Sequence, residues 1–249
     1  MPRAWLKLLL GSLISAHFVA SAMEIFSSDE SDFGYIMADG VLDEQDINGI
    51  GNLMESFSKR GKSSVILLTS PGGVLEFTPD IAERIVDEAN EHYMIHHRPA
   101  LLVINSECSS ACTVMMANIT KHRNPSALEI WVTPGATFGF HSPVNKPKGG
   151  RTSAIADLAE REFRSKKQLN YLTEAGVNPT WLSANLKMFY NAKMTDLTGR
   201  QLCLEKTMVI PPDSCLPNDN DVIPLIEAKY FRPKHMIPNP YAKGRKKKP

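Results

Sequence analysis

Hydrophobic positions along the chain switch period repeatedly, and the switches outline alternating strands and helices. "FGYIMADG" (33–40) reads as a first strand. It gives way to "LDEQDINGIGNLMESFSKRG" (42–61), where Ile47, Ile50, Leu53, Met54 and Phe57 recur at helical spacing. "SSVILLTS" (63–70) is a continuous aliphatic and β-branched run, as expected of a strand buried on both faces of a parallel sheet. "TPDIAERIVDEANEHY" (78–93) then predicts a helix with Thr78 as its cap, Pro79 at the first helical position and Asp80 in the first turn. Its apolar face is Ile81, Ile85 and Ala89.

"PALLVIN" (99–105) is the next buried strand and "ACTVMMANITKHR" (111–123) the next helix. "ALEIWVTP" (127–134) and "TFGFHSP" (137–143) are two further strands joined by a Pro-Gly turn, and a long charged helix covers 152–174. No internal repeat is visible. Strand–helix repetition of this kind predicts a single α/β domain with a largely parallel sheet. In such sheets function gathers where loops leave the carboxyl ends of the strands. "TSPGGV" (69–74) and "SECSSAC" (106–112) both fall there.

The ends change the picture. Residues 1–22 read as a signal peptide: Arg3 and Lys7 form a basic start, "LLLGSLISA" a short apolar core, and Ala20, Ser21 and Ala22 a cleavage site. That core is shorter than the roughly 20 apolar residues of a membrane span, so no stable transmembrane segment is expected after cleavage. An uncleaved anchor is the rival. The expected product is periplasmic or secreted. The globular domain covers 23–210, and 211–249 is a proline-rich extension ending in "KGRKKKP".

The formal charge of +1 becomes −1 once the two basic residues of 1–22 are removed, so no global basic field argues for nucleic acid. The basic end is a solvated tail in its plainest reading, with contact to an anionic surface as the alternative.

Four cysteines in an exported chain favour disulfides. Cys203 and Cys215 flank a loop and look like a local staple, while Cys108 and Cys112 pair with each other or stay thiols. Three pairings are formally open. No CxxC and no nearby His pair supports a zinc site, and no cofactor or metal is expected.

The candidate chemistry lies in three places. In "SPGGV" (70–74), Gly72 and Gly73 let the backbone approach a ligand and direct N–H groups into a cleft; a tight turn is the bland alternative. Ser109 and Ser110 precede a helix, where unpaired N–H groups and the positive dipole end favour developing negative charge. Serine is also a common helix cap, and spacing alone does not separate the two serines. His141 ends an apolar strand in a glycine-rich setting, where it could serve as a base or be structural. His92, His96 and His97 cluster near a helix end, and His122 and His235 lie in polar segments.

Together and in this order, "YIMADGVL", "VILLTSPGGV", "LLVINSECSSACTVMMA" and "FGFHSP" resemble the Clp protease proteolytic subunit within the ClpP/crotonase superfamily. The likeness covers 33–204 and is greatest to exported ClpP-like proteins with a C-x-S-A-C motif. The resemblance implies a ClpP/crotonase-like spiral of repeated β-β-α and β-α units. It implies acyl transfer on a peptide or protein substrate, with Ser110 as nucleophile and His141 as base. The oxyanion donors would be Gly72 or Gly73 and the N–H of Ala111.

The family's orienting Asp falls near Met194 or Ala192, neither of which can do that work. Asp196 is the closest carboxylate, out of register, and Asn191 is a neutral substitute. Arg161, Arg164, Lys166 and Lys167 would lie on the counterpart of the family's handle helix, which leaves a homo-oligomer open beside an ordinary solvated face. A catalytically degraded relative serving as a binding or envelope-assembly module is the main alternative. A crotonase-like acyl-thioester enzyme fits less well because that class rarely needs an SAC serine and CoA chemistry is unexpected outside the cytoplasm. A Ser-Lys dyad fits less well because Lys121 lies too far along the helix from Ser110.

Overall fold

The computed structural model describes residues 23–29, 32–142 and 154–218. The expected signal peptide and the basic tail, including His17 and His235, lie outside these residues. Five strands, β1 (Glu24–Asp29), β2 (Phe33–Asp39), β3 (Ser63–Thr69), β4 (Ala100–Ile104) and β5 (Leu128–Val132), form one sheet in that spatial order. Strands β2 to β5 are parallel, and β1 runs antiparallel to β2 at the edge. Helices α1 (Glu44–Ser58), α2 (Thr78–His96) and α3 (Ala111–His122) return the chain between successive parallel strands.

The side-chain alternation of the strands divides the core in two. Ile36, Ile66, Leu102 and Ile130 face the helices and pack with Ile50, Phe57, Ile81, Ile85 and Met115. Phe33, Val65, Leu101 and Val103 form a second cluster on the other face, joined by Tyr35, Leu67, Trp131 and Leu216. Burial on both faces is why β3 and β4 read as unbroken apolar runs.

Helix α2 differs from the sequence expectation at its start. A 3₁₀ turn at Leu75–Phe77 precedes it and Phe77 occupies the cap position. Thr78 lies inside the helix and its hydroxyl donates to the Leu75 carbonyl at 2.9 Å. The turn brings its own backbone bonds, so no side-chain cap is needed there.

Strands β2, β3 and β4 each continue past the sheet into a short extended segment before the next helix begins, and β5 leads on to residue 137. These segments form a second ladder: Leu42 bridges Gly73, Ser70 bridges Cys108, and Glu107 bridges Thr137. The ladder ends in β6 (Thr137–Phe140) paired antiparallel with β7 (Thr195–Thr198). Between β6 and β7 come α4 (Ala154–Glu174), α5 (Pro179–Ala184) and α6 (Leu186–Tyr190). Phe140, Trp181 and Phe189 pack edge to face, with ring centroids 5.5–6.3 Å apart, and fix these helices beneath β6.

Two disulfides are formed, Cys108–Cys112 and Cys203–Cys215. The second ties α7 (Gly199–Leu204) to the sheet edge, where Val132 N–H donates to Ser214 O and Leu216 N–H to Val132 O, both at 2.9 Å. Hydrogen-bonded structure therefore continues past residue 210, the boundary suggested by the prolines, and reaches Leu216. Among the described residues no helix is long and apolar enough to cross a membrane.

Candidate active site

The apolar run of β4 ends at Ile104, and residues 106–110 then thread between the exit of β3 and strand β6. Ser109 N–H donates to Ser70 O (2.9 Å), Cys108 N–H to Thr137 O (2.8 Å) and Ser110 N–H to Gly139 O (2.7 Å). These bonds force the chain to turn sharply into α3. Ser110 takes up the turn at φ 55°, ψ −117°, a conformation that costs a non-glycine residue on the order of 1–3 kcal/mol. The Cys108–Cys112 bridge spans the turn, with its Cα atoms 5.2 Å apart.

Ser110 occupies the N-cap position of α3, but its side chain makes no capping hydrogen bond. Its carbonyl instead accepts from Thr113 N–H (3.0 Å) and Thr113 Oγ1 (2.6 Å). Exposure separates the two serines. Ser110 is half-buried, whereas Ser109 is 1% exposed and, among the described residues, its hydroxyl has no hydrogen-bond partner. A Cβ on residue 139 would lie 2.5 Å from Ser109 Oγ and 2.6 Å from Met194 Sδ, so only glycine fits there.

The SPGG turn packs directly against this elbow. Gly72 N–H is engaged by Ser70 Oγ at 3.1 Å, and a Cβ on Gly72 would come within 2.7 Å of Ser110 Cβ. Gly73 is held through its neighbours, as Leu42 N–H donates to Gly72 O (2.8 Å) and Val74 N–H to Leu42 O (2.9 Å). Among the described residues, the N–H groups of Gly73 and Ala111 have no hydrogen-bond partner. Of the two glycines, Gly73 thus has the donor to offer. The Ala111 N–H stands at the positive end of the twelve-residue α3.

His141 follows β6 directly, two residues after the Gly139 carbonyl that holds Ser110. Its Nδ1 lies 2.7 Å from the Ser142 carbonyl. A carbonyl can only accept, so Nδ1 carries the proton and Nε2 presents its lone pair. No hydrogen bond joins Ser110 Oγ to His141 among the described residues; such bonds often tighten only when substrate binds.

None of the proposed orienters touches the ring. Asp196 is exposed and pairs with Gly139 in the β6–β7 ladder, with no bond to His141. The Asn191 side chain accepts from Lys193 N–H at 3.0 Å, while its backbone carbonyl accepts from Ser142 N–H at 2.7 Å. Met194 precedes β7 and its Sδ lies near Gly139, and Ala192 is exposed. The carbonyl of Ser142 was not foreseen from the sequence, since no residue type marks a backbone acceptor.

The other histidines lie elsewhere. His92, His96 and His97 belong to the far end of α2. His122 lines a cleft of about 340 Å³ between α2 and α3 with Glu83, Asp87 and Asn118, roughly 17 Å down the helix from Ser110. On the long helix, Arg164 and Lys166 pair with Glu160 and Glu162 one turn away, and Lys167 reaches Glu76 at 2.7 Å. Compared with known proteins, the chain matches no protein-family model and no curated sequence.

Proposed function

We propose that the chain is an exported serine hydrolase of ClpP-like fold that acts on peptides. The observation that carries this reading is the strained, uncapped and accessible Ser110 at a strand-to-helix elbow, next to two unpartnered N–H groups. The recurrence of strand, bridging segment and helix favours the ClpP/crotonase-like spiral over a simple doubly wound sheet. The two disulfides accord with an oxidising compartment.

In this mechanism Ser110 Oγ attacks the substrate carbonyl as its proton passes to His141 Nε2. The resulting oxyanion accepts from the Gly73 and Ala111 N–H groups. His141 then protonates the leaving amine as the C–N bond breaks, and water hydrolyses the acyl-serine by the same route in reverse. Losing one oxyanion donor in such a site typically costs about 10²–10³ in turnover. A second reading, a binding module descended from such an enzyme, draws on one observation: among the described residues no carboxylate is hydrogen-bonded to His141.

Labelling of the mature protein with a fluorophosphonate probe separates the two. Wild type and Ser109→Ala should label, and Ser110→Ala and His141→Ala should not. A well-folded wild type that never labels would leave the binding module standing.

A further inference from the structure

The geometry points to Ser142 and Ser165 as positioning residues that hold His141 in its base-competent tautomer, in place of a triad carboxylate. This rests on the acyl-transfer reading above. The carbonyl that accepts from Nδ1–H belongs to the residue next to the histidine, and an unrestrained residue there would turn with the ring. It is restrained at two points. Ser142 N–H donates to Asn191 O at 2.7 Å, and Ser142 Oγ lies 2.9 Å from Ser165 Oγ.

Both serines are buried, 1% and 0% exposed, so neither hydroxyl can exchange its partner for solvent. Ser165 sits on the 21-residue α4, itself tied to α3 where Lys121 Nζ donates to Glu174 O at 2.6 Å. The brace thus passes from a long helix through one serine hydroxyl to the residue whose carbonyl holds the imidazole. Its chemistry differs from that of a carboxylate. A carbonyl dipole fixes tautomer and ring plane but supplies no full negative charge to the imidazolium formed during acyl transfer. The exposed Asp196 has no part in it.

Nitrogen-15 NMR of the mature chain, with His141→Ala for assignment, reads the tautomer directly. In the expected wild-type spectrum the neutral form of the His141 ring is protonated on Nδ1. Ser165→Ala should shift it to a tautomer mixture and slow fluorophosphonate labelling about tenfold, while Ser165→Thr, which keeps a hydroxyl, should retain both properties. A wild-type ring protonated on Nε2, or a Ser165→Ala tautomer identical to wild type, overturns the proposal. Should Ser165→Ala fail to fold, Ser142→Ala removes the same hydroxyl contact and the wild-type spectrum still tests the tautomer. If the tautomer responds to Ser165 while no form ever labels, the brace stands and the hydrolase reading falls.

Discussion

Ser110 occupies a backbone region that glycine takes freely and other residues avoid, so its strain and its hydroxyl can be separated by mutation. Ser110→Gly removes both, and should stabilise the domain by about 1 kcal/mol, the released strain exceeding glycine's entropic cost. For a domain of this size that raises the melting temperature by about 2–4 °C. Ser110→Ala keeps the strain and should melt with the wild type. Calorimetry giving equal temperatures for the glycine and alanine variants would mean that the elbow stores no strain. Gly72 tests the same turn from the opposite side. The Cβ of Gly72→Ala would press on Ser110 Cβ at 2.7 Å and Ser109 O at 3.0 Å, at a φ of 119°. Labelling should slow by about 10²-fold, the usual penalty for an ångström-scale displacement of a reacting group; an unchanged rate would place the nucleophile elsewhere.

Among the elements, the two disulfides divide their work by what they connect. Cys203–Cys215 joins α7 to the segment beside β5 and closes a loop of twelve residues. Replacing both cysteines by serine should cost about 2–3 kcal/mol, read as a lower urea midpoint, and leave the labelling rate unchanged. Cys108–Cys112 closes only four residues, but those residues are the elbow. Replacing both by alanine should slow labelling more than it lowers the midpoint, and the reverse order would make the bridge a purely structural staple. The sequence announced this contrast only in part: spacing marked the 203–215 loop but left the pairing open. It was silent on β1 and β7 for a physical reason. β1 exposes five of its six residues and is anchored by Asp29 to Arg60 and Lys62, so it has no apolar run to detect. β7 is four residues long and takes its place from its pairing with β6, which no local pattern encodes.

Across the whole molecule, alternation of apolar runs was enough to place α1 to α3 and β2 to β5, because each run is long and buried. The site divides similarly: SPGG, Ser110 and His141 stand on element ends that periodicity can locate, whereas Ser142, Ser165 and Asn191 contribute through backbone atoms and a hydroxyl contact across 23 residues. Stability at low pH depends on the opposite end of the sheet. His92 is buried between α1 and β3, its Nδ1 3.1 Å from Ser58 Oγ and its Nε2 3.3 Å from Ser63 Oγ. Burial, aided by the nearby His96 and Arg98, lowers its pKa from 6.5 to about 4. The unfolded chain therefore binds a proton near pH 6.5 that the folded chain refuses until about pH 4. Stability should be level above pH 6.5 and fall as pH drops towards 4, by about 3 kcal/mol when the window is crossed. His92→Gln keeps a polar side chain without the titration and should flatten that slope in urea melts at pH 7, 5.5 and about 4. If the slope persists in the variant, acid sensitivity comes from other groups and the fold does not depress the His92 pKa.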